Sequence, residues 1–233
     1  MKLKYTPLEK ITINRPVNRL KYVSNLCEGK RVLDIGCYDE TAIDSKKETN
    51  YWLHGLISEK AKMVIGIDSS DLIKNEIKTG DNSKIIKLDL NDIDSDFVKK
   101  YPIDIIVAGE LIEHIENVQH FIKNLAHLYP GCKLVLTTPN STSLTNTLLA
   151  LINRESNHKD HLHIFSYKTL NTVCLKAGIQ EFTIKPSKVS YGEMFLRSNK
   201  FMRIIVKTVE KLVNTIEFLF PMVSGGYIVE INL

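Results

Sequence analysis

The sequence predicts an α/β fold in which helices cover a doubly wound, mostly parallel sheet. Short apolar runs typical of buried strands alternate five times with segments of helical spacing between residues 31 and 138, which is the pattern of βαβ units. The first run ends at Gly36, and glycine after a strand lets a ligand approach the backbone closely. Carboxylates follow consecutive strands, where ligands bind in open α/β sheets.

The strands are predicted from short runs of Val, Ile and Leu that polar residues or glycine bound. Five such runs predict strands at residues 31–35, 63–67, 84–88, 103–108 and 133–138. Residues 181–189 alternate between apolar and polar types and predict a further strand, and residues 227–232 predict a last one.

Helices are predicted where apolar residues recur every three or four positions. They cover residues 17–27, 51–62, 71–78, 96–100, 112–128, 144–153, 167–177 and 193–220. The other segments predict an extended arm or lid at 1–16, polar loops at 38–50 and 154–160, and an extended segment at 161–165.

Composition and charge are typical of a soluble globular protein. The chain has 233 residues, 25% of them charged, and a formal net charge of +4. Because this charge is mild and no dense basic and aromatic stripe occurs, a nucleic-acid partner is not favoured. The first residues lack an apolar signal segment and the four cysteines form no CxxC pair, so we expect a cytoplasmic protein with reduced thiols.

Three carboxylates stand at or near the ends of consecutive predicted strands. Asp34 lies in the first, Asp68 follows the second and Asp89 follows the third. At the ligand edge of the sheet, Asp68 could accept both hydroxyls of a ribose, and Asp89 could accept a hydrogen bond from an adenine amino group while the Leu90 amide donates one. The alternative for each carboxylate is a helix N-cap.

Six segments follow the order expected of one enzyme family. They are VLDIGC, VIGIDSS, IIKLDLND, DIIVAGELIEHI, LYPGCKLVLTTPN and HLHIFSYKTLNTVCLKAGI. In these motifs residues 31–178 resemble class I S-adenosylmethionine-dependent methyltransferases of the group that includes ubiquinone-biosynthesis and sugar or lipid O-methyltransferases. The resemblance implies one Rossmann-like domain over residues 1–233, with a seven-stranded sheet whose last strand is antiparallel. Residues 31–140 would form the cofactor-binding core, and residues 1–30 and 141–225 a largely helical cap for the acceptor.

The resemblance also implies which residues bind S-adenosylmethionine. They are Asp34, Gly36 and Cys37 at its amino-acid end, Asp68 and Ser69 at the ribose, Asp89 and Leu90 at the adenine, and Gly109 and Glu110 near the sulfonium and the substrate. The chain departs from the family after Gly36, where Tyr38, Asp39 and Glu40 replace the usual further glycines. Either the loop binds the cofactor along a different backbone path, or cofactor binding is weakened. A cofactor-binding protein without transferase activity is the alternative that this departure suggests.

Glu110, Glu113 and His114 have the spacing i, i+3 and i+4, which predicts one shared helical face. We predict no metal here, with the face closing the rim of the site and His114 bonded to a backbone carbonyl. The alternative is a divalent cation held by Glu110, Glu113, His114 and His161 or His163. That set is similar to RNA 3′-terminal 2′-O-methyltransferases of the small-RNA type, which hold magnesium with two Glu and two His.

The candidate catalytic residues are Glu113, His114 and His163. His161 and His163 alternate and would face the same way in an extended segment. His163 could take a proton from an acceptor, because the ordinary pKa of histidine lies near physiological pH. The alternative is a histidine packed under the sheet edge.

The last predicted helix carries an apolar stripe. Its members are Met202, Ile205, Val209, Leu212, Ile216 and Leu219. Such a stripe favours packing on the sheet or on a partner subunit, and a lid over a lipid-like acceptor or a shallow membrane contact is the alternative. We expect a monomer or homodimer that methylates a small-molecule or glycan- or lipid-linked acceptor.

Overall fold

A single mixed sheet forms the centre of the computed structural model, which describes residues 3–40, 43–47 and 49–233. The eight strands of these residues are β1 (Arg31–Ile35), β2 (Met63–Asp68), β3 (Glu76–Lys78), β4 (Ser83–Lys87), β5 (Ile105–Gly109), β6 (Lys133–Pro139), β7 (Phe182–Ser187) and β8 (Gly226–Asn232). Their order across the sheet is β3-β4-β2-β1-β5-β6-β8-β7.

The strand order confirms the predicted doubly wound topology. The chain begins in the middle at β1, adds β2 and β4 on one side, and then returns to add β5 and β6 on the other. These strands pair in parallel, whereas β8 is antiparallel to both β6 and β7. The direction of winding therefore switches between β1 and β5, and ligands bind at the carboxyl ends of strands beside such a switch point.

Helices cover both faces of the sheet. They are α1 (Arg19–Leu26), α2 (Ile43–Lys46), α3 (Leu53–Ser58), α4 (Ser95–Lys100), α5 (Val118–Leu128), α6 (Leu144–Ala150), α7 (Tyr167–Lys176), α8 (Gly192–Arg197) and α9 (Lys200–Leu219). Val32 of β1 packs with Val23 of α1 and Ile57 of α3. Its neighbour Leu33 lies in the other apolar cluster, with Ile122 of α5. Strand residues are thus buried on both faces, which explains the continuous apolar runs.

The sheet has one strand more than predicted, because β3 forms where residues 71–78 predict a helix. β3 pairs antiparallel with β4, and Glu76 forms an ion pair with Lys84 at 2.7 Å. The intervening Thr-Gly-Asp-Asn sequence at 79–82 reverses the chain. A short segment with few apolar residues gains more from pairing with an open strand edge than from forming an isolated helix.

Two predicted helices are each interrupted. Residues 112–128 divide into a 3₁₀ turn at Ile112–His114 and the helix α5, and residues 193–220 divide into α8 and α9. In both cases an asparagine starts the second helix, since the side chains of Asn117 and Asn199 accept hydrogen bonds from backbone amides three residues later. The periodicity continues across each break, so it did not reveal these caps.

The remaining predicted elements are present within a few residues of their expected ends. In the predicted arm, residues 3–16 form neither helix nor strand, and residues 1–2 lie outside the described residues. Within the predicted loop at 38–50, four residues form α2, and residues 41, 42 and 48 are outside the described part. Among the described helices, none combines the length and apolar character needed to cross a bilayer.

Candidate functional site

The three carboxylates indicated by the sequence lie on adjacent strands. β2 pairs in parallel with β1 on one side and with β4 on the other. Asp34 is the fourth residue of β1, Asp68 is the last residue of β2, and Asp89 stands two residues beyond β4. All three therefore belong to the same edge of the sheet, beside the switch point.

Asp34 is fixed by a buried histidine. Its Oδ2 atom lies 2.9 Å from Nδ1 of His54, and both side chains are almost fully buried. The Nε2 atom of His54 lies 2.9 Å from the Thr79 hydroxyl. Cys37 brings its sulfur within 4.8 Å of ligand atoms of this pair, but both ring nitrogens already have partners. The group consequently orients Asp34 and is not suited to bind a metal.

Gly36 forms the sharp turn after β1. Its φ is +70°, and a Cβ atom there would lie 2.8 Å from Cδ1 of Leu111. Its amide donates a hydrogen bond of 2.9 Å to the carbonyl of Ile67. Burial raises the pKa of the next residue, Cys37, well above its usual value, so the thiol stays neutral. The positive φ explains why glycine stands at this turn, and contact of Gly36 with the cofactor stays a prediction.

Asp68 joins the loops that follow β1 and β2. Its two carboxylate oxygens accept the amides of Tyr38 at 2.9 Å and Ser70 at 3.0 Å. Burial raises the pKa of Asp68, while these two amides act in the opposite direction. Ser69 is exposed beside it. Tyr38, one of the departures from the family glycines, therefore supports the site through its backbone.

Asp89 has a capping role in the structure. Its Oδ1 atom accepts the backbone and side-chain nitrogens of Asn91, both at 2.8 Å, and so caps the 3₁₀ turn Leu90–Asp92. The side chain is exposed. The capping alternative thus applies to Asp89, and contact of Asp89 and Leu90 with an adenine stays a prediction.

On the other side of the switch point, Glu110 follows Gly109 at the end of β5. The Glu110 carboxylate accepts the Thr137 hydroxyl at 3.1 Å and lies 3.6 Å from the Arg19 guanidinium. Arg19 also donates to the Thr137 hydroxyl at 3.2 Å. Arg19 of α1 thus supplies a cation beside Glu110, and contact of Glu110 with the sulfonium or the substrate stays a prediction.

An open cavity of about 240 Å³ adjoins Glu110. Arg19 and Tyr51 line it, together with the last residue of β7 and the three residues that follow (187–190), and Gly192 and Glu193 of α8. The cavity therefore lies between the sheet edge and the predicted cap, with polar groups of both signs along its wall.

Glu113 is buried without a partner for its side chain. It is 1% exposed, and neither carboxyl oxygen has a hydrogen-bond partner among the described residues. Burial, followed by the charge of Glu110, raises its pKa to about 8. Its backbone carbonyl accepts the amides of Leu162 and His163 at 2.8 and 3.1 Å, which holds their loop against the site. An unpartnered buried carboxyl is typical of a functional position.

Two histidines lie next to Glu113. Ligand atoms of Glu113, His114 and His161 lie within 4.8 Å of one another. Nδ1 of His114 lies 3.1 Å from the carbonyl oxygen of Asp160, so Nδ1 carries the proton and Nε2 has the free lone pair. Burial, followed by His114 and His158, lowers the pKa of His161 and keeps it neutral. One carboxyl oxygen and two imidazole nitrogens are ligand types that a divalent cation binds.

The predicted helical face of Glu110, Glu113 and His114 was wrong. The chain leaves β5 through Glu110, whose φ is +55°, and Ile112–His114 forms a 3₁₀ turn before α5 begins. Glu113 is consequently buried, His114 is exposed, and Glu110 turns towards Arg19. Of the alternative metal set, Glu110 is therefore outside the group of clustered ligand atoms.

His161 and His163 both line a narrow cavity beside Glu113 and Thr138. Nε2 of His163 lies 3.2 Å from the carbonyl oxygen of Glu116. This contact places the proton on Nε2 and leaves Nδ1 to accept another. Nδ1 of His163 could therefore accept a proton, and its role as a base stays a prediction.

A comparison with known families identifies the fold. Residues 12–181, more than two thirds of the chain, match the profile of a methyltransferase domain. The chain belongs to this methyltransferase family. It has the class I fold that the motifs predict, and S-adenosylmethionine is its cofactor.

Individual proteins similar to this methyltransferase agree with that result. A ubiquinone biosynthesis O-methyltransferase of Coxiella burnetii is 32% identical over 127 residues, which cover 52% of this chain and 50% of that protein. The chain thus spans about half the length of the curated relatives it matches. A SAM dependent methyltransferase from Archaeoglobus fulgidus has a TM-score of 0.50 at 17% identity, covering 92% of this chain and 91% of that one. The small RNA methyltransferase HEN1 has a TM-score of 0.54 at 16% identity, covering 97% of this chain and 27% of that one. The two structural likenesses show the fold alone.

The residues at the switch point of the methyltransferase fit its cofactor. At Gly36 a Cβ atom would lie 2.8 Å from Cδ1 of Leu111, so the tight turn after β1 requires glycine. Asp68 and Asp89 offer carboxylate oxygens to hydroxyl and amino groups at neighbouring strand ends. When bound, S-adenosylmethionine supplies a methyl group on a sulfonium that is already a good leaving group.

Several site residues of the methyltransferase carry no sequence signal. Arg19 and His54 lie in helices whose patterns are ordinary, and they meet Glu110 and Asp34 only through tertiary structure. Thr137 lies in a buried strand. His158 belongs to a polar loop, yet its ring centre lies 6.0 Å from that of His161. Its proximity in sequence to His161 was the one available hint.

Proposed function

We propose that the chain transfers a methyl group from S-adenosylmethionine to a hydroxyl oxygen of a small-molecule or glycan- or lipid-linked acceptor. The observation that carries this proposal is the buried, unpartnered Glu113 beside His161 and His163, next to the cofactor edge of the sheet. The O-methyltransferase activity of the curated relative supports oxygen as the acceptor atom.

The chemistry asks little more of the protein than positioning and proton removal. The acceptor oxygen attacks the methyl carbon, the carbon–sulfur bond breaks, and its electron pair remains on sulfur. The hydroxyl proton passes to a neighbouring base, for which His163 offers Nδ1. Glu113, whose pKa is raised to about 8, can accept a proton only in its ionised form, which becomes the major form above that pH. The cavity beside Glu110, which Arg19 and Tyr51 line, would hold the rest of the acceptor.

Two measurements test this proposal. Titration calorimetry with S-adenosylmethionine and S-adenosylhomocysteine tests the cofactor site, and absence of binding to both would reject it. Transfer of isotope from labelled S-adenosylmethionine into a metabolite and lipid extract tests the reaction. Binding without any transfer would instead support the alternative of a non-catalytic cofactor-binding protein.

A second candidate is magnesium-dependent 2′-O-methylation of RNA 3′ ends, which the cluster of Glu113, His114 and His161 favours. These three residues would hold the cation, with the charge of Glu110 nearby. A bound cation would lower the pKa of a hydroxyl at an RNA end. One of the similar structures is that of a small RNA methyltransferase, which agrees with this candidate.

The two candidates differ in their response to chelation and in their substrate. Magnesium-dependent RNA methylation requires that EDTA abolish the transfer, that Mg²⁺ restore it, and that Glu113→Ala reduce it sharply. Transfer to an RNA 3′ end that survives EDTA would contradict the cation, and transfer only to extract metabolites would contradict the RNA.

A further inference from the structure

The helix α9 presents an exposed apolar stripe. Among its residues, Phe201, Ile204 and Leu212 are 71%, 68% and 61% exposed. The other exposed apolar residues of the helix and the residue after it are Met202, Ile205, Val209, Phe218, Leu219 and Phe220. Single exposed apolar side chains are ordinary, but a row along a 20-residue helix marks an interaction surface.

Both carboxylates of α9 turn towards the protein. Glu217 is fully buried and accepts the Val189 amide at 3.0 Å. Glu210 accepts the Tyr191 amide at 2.8 Å and the Lys207 ammonium at 3.2 Å. Both acidic side chains of α9 therefore lie on the face that packs against the rest of the protein.

The exposed charges of α9 are consequently all positive. Its cations are Lys200, Arg203, Lys207 and Lys211. Lys200 and Lys211 stand four residues before and seven residues after Ile204, so they share its outward row at the border of the apolar stripe. Neither lysine has an ion-pair partner among the described residues. Beyond the helix end, Arg15 donates to the carbonyls of Phe218 and Leu219 and adds another cation.

We propose that α9 is a docking surface for an anionic lipid membrane. An apolar stripe bordered by lysines is the pattern of helices that lie in the plane of the interface, with the stripe among acyl chains and the cations at the headgroups. A second copy of this chain fits less well, because a two-fold pairing of α9 would bring two sets of cations together. The positive charge beside the stripe therefore favours an anionic lipid surface over a second copy of the chain.

The surface adjoins the proposed acceptor cavity. Arg203 of α9 donates to the carbonyls of Phe195 and Ser198 at 3.2 and 3.0 Å, which fixes α8 to α9, and Gly192 and Glu193 of α8 line the cavity. A docked protein would therefore present this cavity close to the lipid. That consequence rests on the proposed methyl transfer, whereas membrane binding by itself does not.

The experiment is sedimentation of the protein with vesicles of phosphatidylcholine, alone or mixed with about one third phosphatidylglycerol. We expect binding to the mixed vesicles at low salt. Lys200→Ala combined with Lys211→Ala should weaken it about 25-fold, because each cation near an anionic surface contributes about fivefold. The matched control, Lys78→Ala with Lys99→Ala, removes two exposed lysines near the opposite edge of the sheet and should bind as the wild type does.

A second variant tests the stripe, since Leu212→Asp should also reduce binding while an unchanged melting temperature shows that it folds. Absence of binding to the mixed vesicles, or equal loss in the control pair, would overturn the proposal. The proposal would also be overturned if the wild type bound no vesicles and formed a homodimer that Leu212→Asp dissociates. Vesicle binding by a wild-type protein that shows no methyl transfer would contradict only the proposed function.

Discussion

The buried carboxyl of Glu217 makes the stability of the fold depend on pH, and Glu217→Gln should remove this dependence. Glu217 is fully buried between α9 and the loop at Val189. One of its oxygens has no partner among the described residues. Burial raises its pKa to about 7. Glutamine keeps the size of the side chain and an acceptor for the Val189 amide but cannot ionise.

The magnitude follows from the pKa difference between the folded and unfolded states. The unfolded value is 4.5 and the folded value is about 7. Between these values the folded state binds more protons, so the free energy of unfolding falls as the pH rises. At 1.36 kcal/mol for each pKa unit, the carboxyl destabilises the folded state by roughly 3 kcal/mol at pH 8 and hardly at all at pH 4. Glu217→Gln should therefore resemble the wild type at pH 4 and be more stable by about that amount at pH 8.

Urea denaturation at several pH values between 4 and 8 measures this difference directly. The control is Glu181→Gln, which changes an exposed carboxylate and should leave the pH dependence as it is. A difference between wild type and Glu217→Gln that is the same at pH 4 and pH 8 would show that ionisation of Glu217 does not cause the pH dependence. An equal effect of the Glu181 substitution would show the same.

Three further predictions concern the site. His54→Ala leaves the buried Asp34 side chain without its hydrogen-bond partner and should lower the free energy of unfolding by about 2 kcal/mol in urea denaturation; an unchanged value would contradict a stabilising role of this hydrogen bond. Gly36→Ala places a Cβ at φ +70° and 2.8 Å from Leu111, so calorimetry should show at least tenfold weaker cofactor binding, and undiminished affinity would contradict the close approach. Glu113→Gln should reduce methyl transfer about 100-fold while cofactor affinity stays within a factor of two, and a loss of affinity instead would place Glu113 at the cofactor.

The fold could be predicted from the sequence for strands that are buried on both faces, because their continuous apolar runs indicate central strands of a parallel sheet. The run Ile105–Ile106–Val107 is buried on both sides, and such a run forms a central parallel strand. At the sheet edge β3 has no such signal, because Glu76 and Lys78 are exposed and only Ile77 is partly buried. Pairing with β4 decided its structure, and pairing is not visible in local periodicity.

In the candidate site, the residues that lie in motifs or at strand ends could be predicted from the sequence. Asp34 and Asp68 could be assigned to one edge of the sheet, since parallel strands end together. Their partners could not, because His54 lies 20 residues from Asp34, and Arg19 lies 91 residues from Glu110. The face expected for Glu110 and Glu113 failed for a local reason, since the left-handed Glu110 turns the chain before a helix can begin.

Carboxylates at adjacent strand ends are expected to bind the adenosyl cofactor, and substitution of Asp68 tests this expectation. Calorimetric titration of S-adenosylmethionine into wild type, Asp68→Asn and the exposed control Asp81→Asn compares the three affinities. We expect binding by the wild type and the control, and at least tenfold weaker binding by Asp68→Asn, because a charged acceptor of hydrogen bonds is lost. Equal affinity of Asp68→Asn and wild type would contradict this expectation.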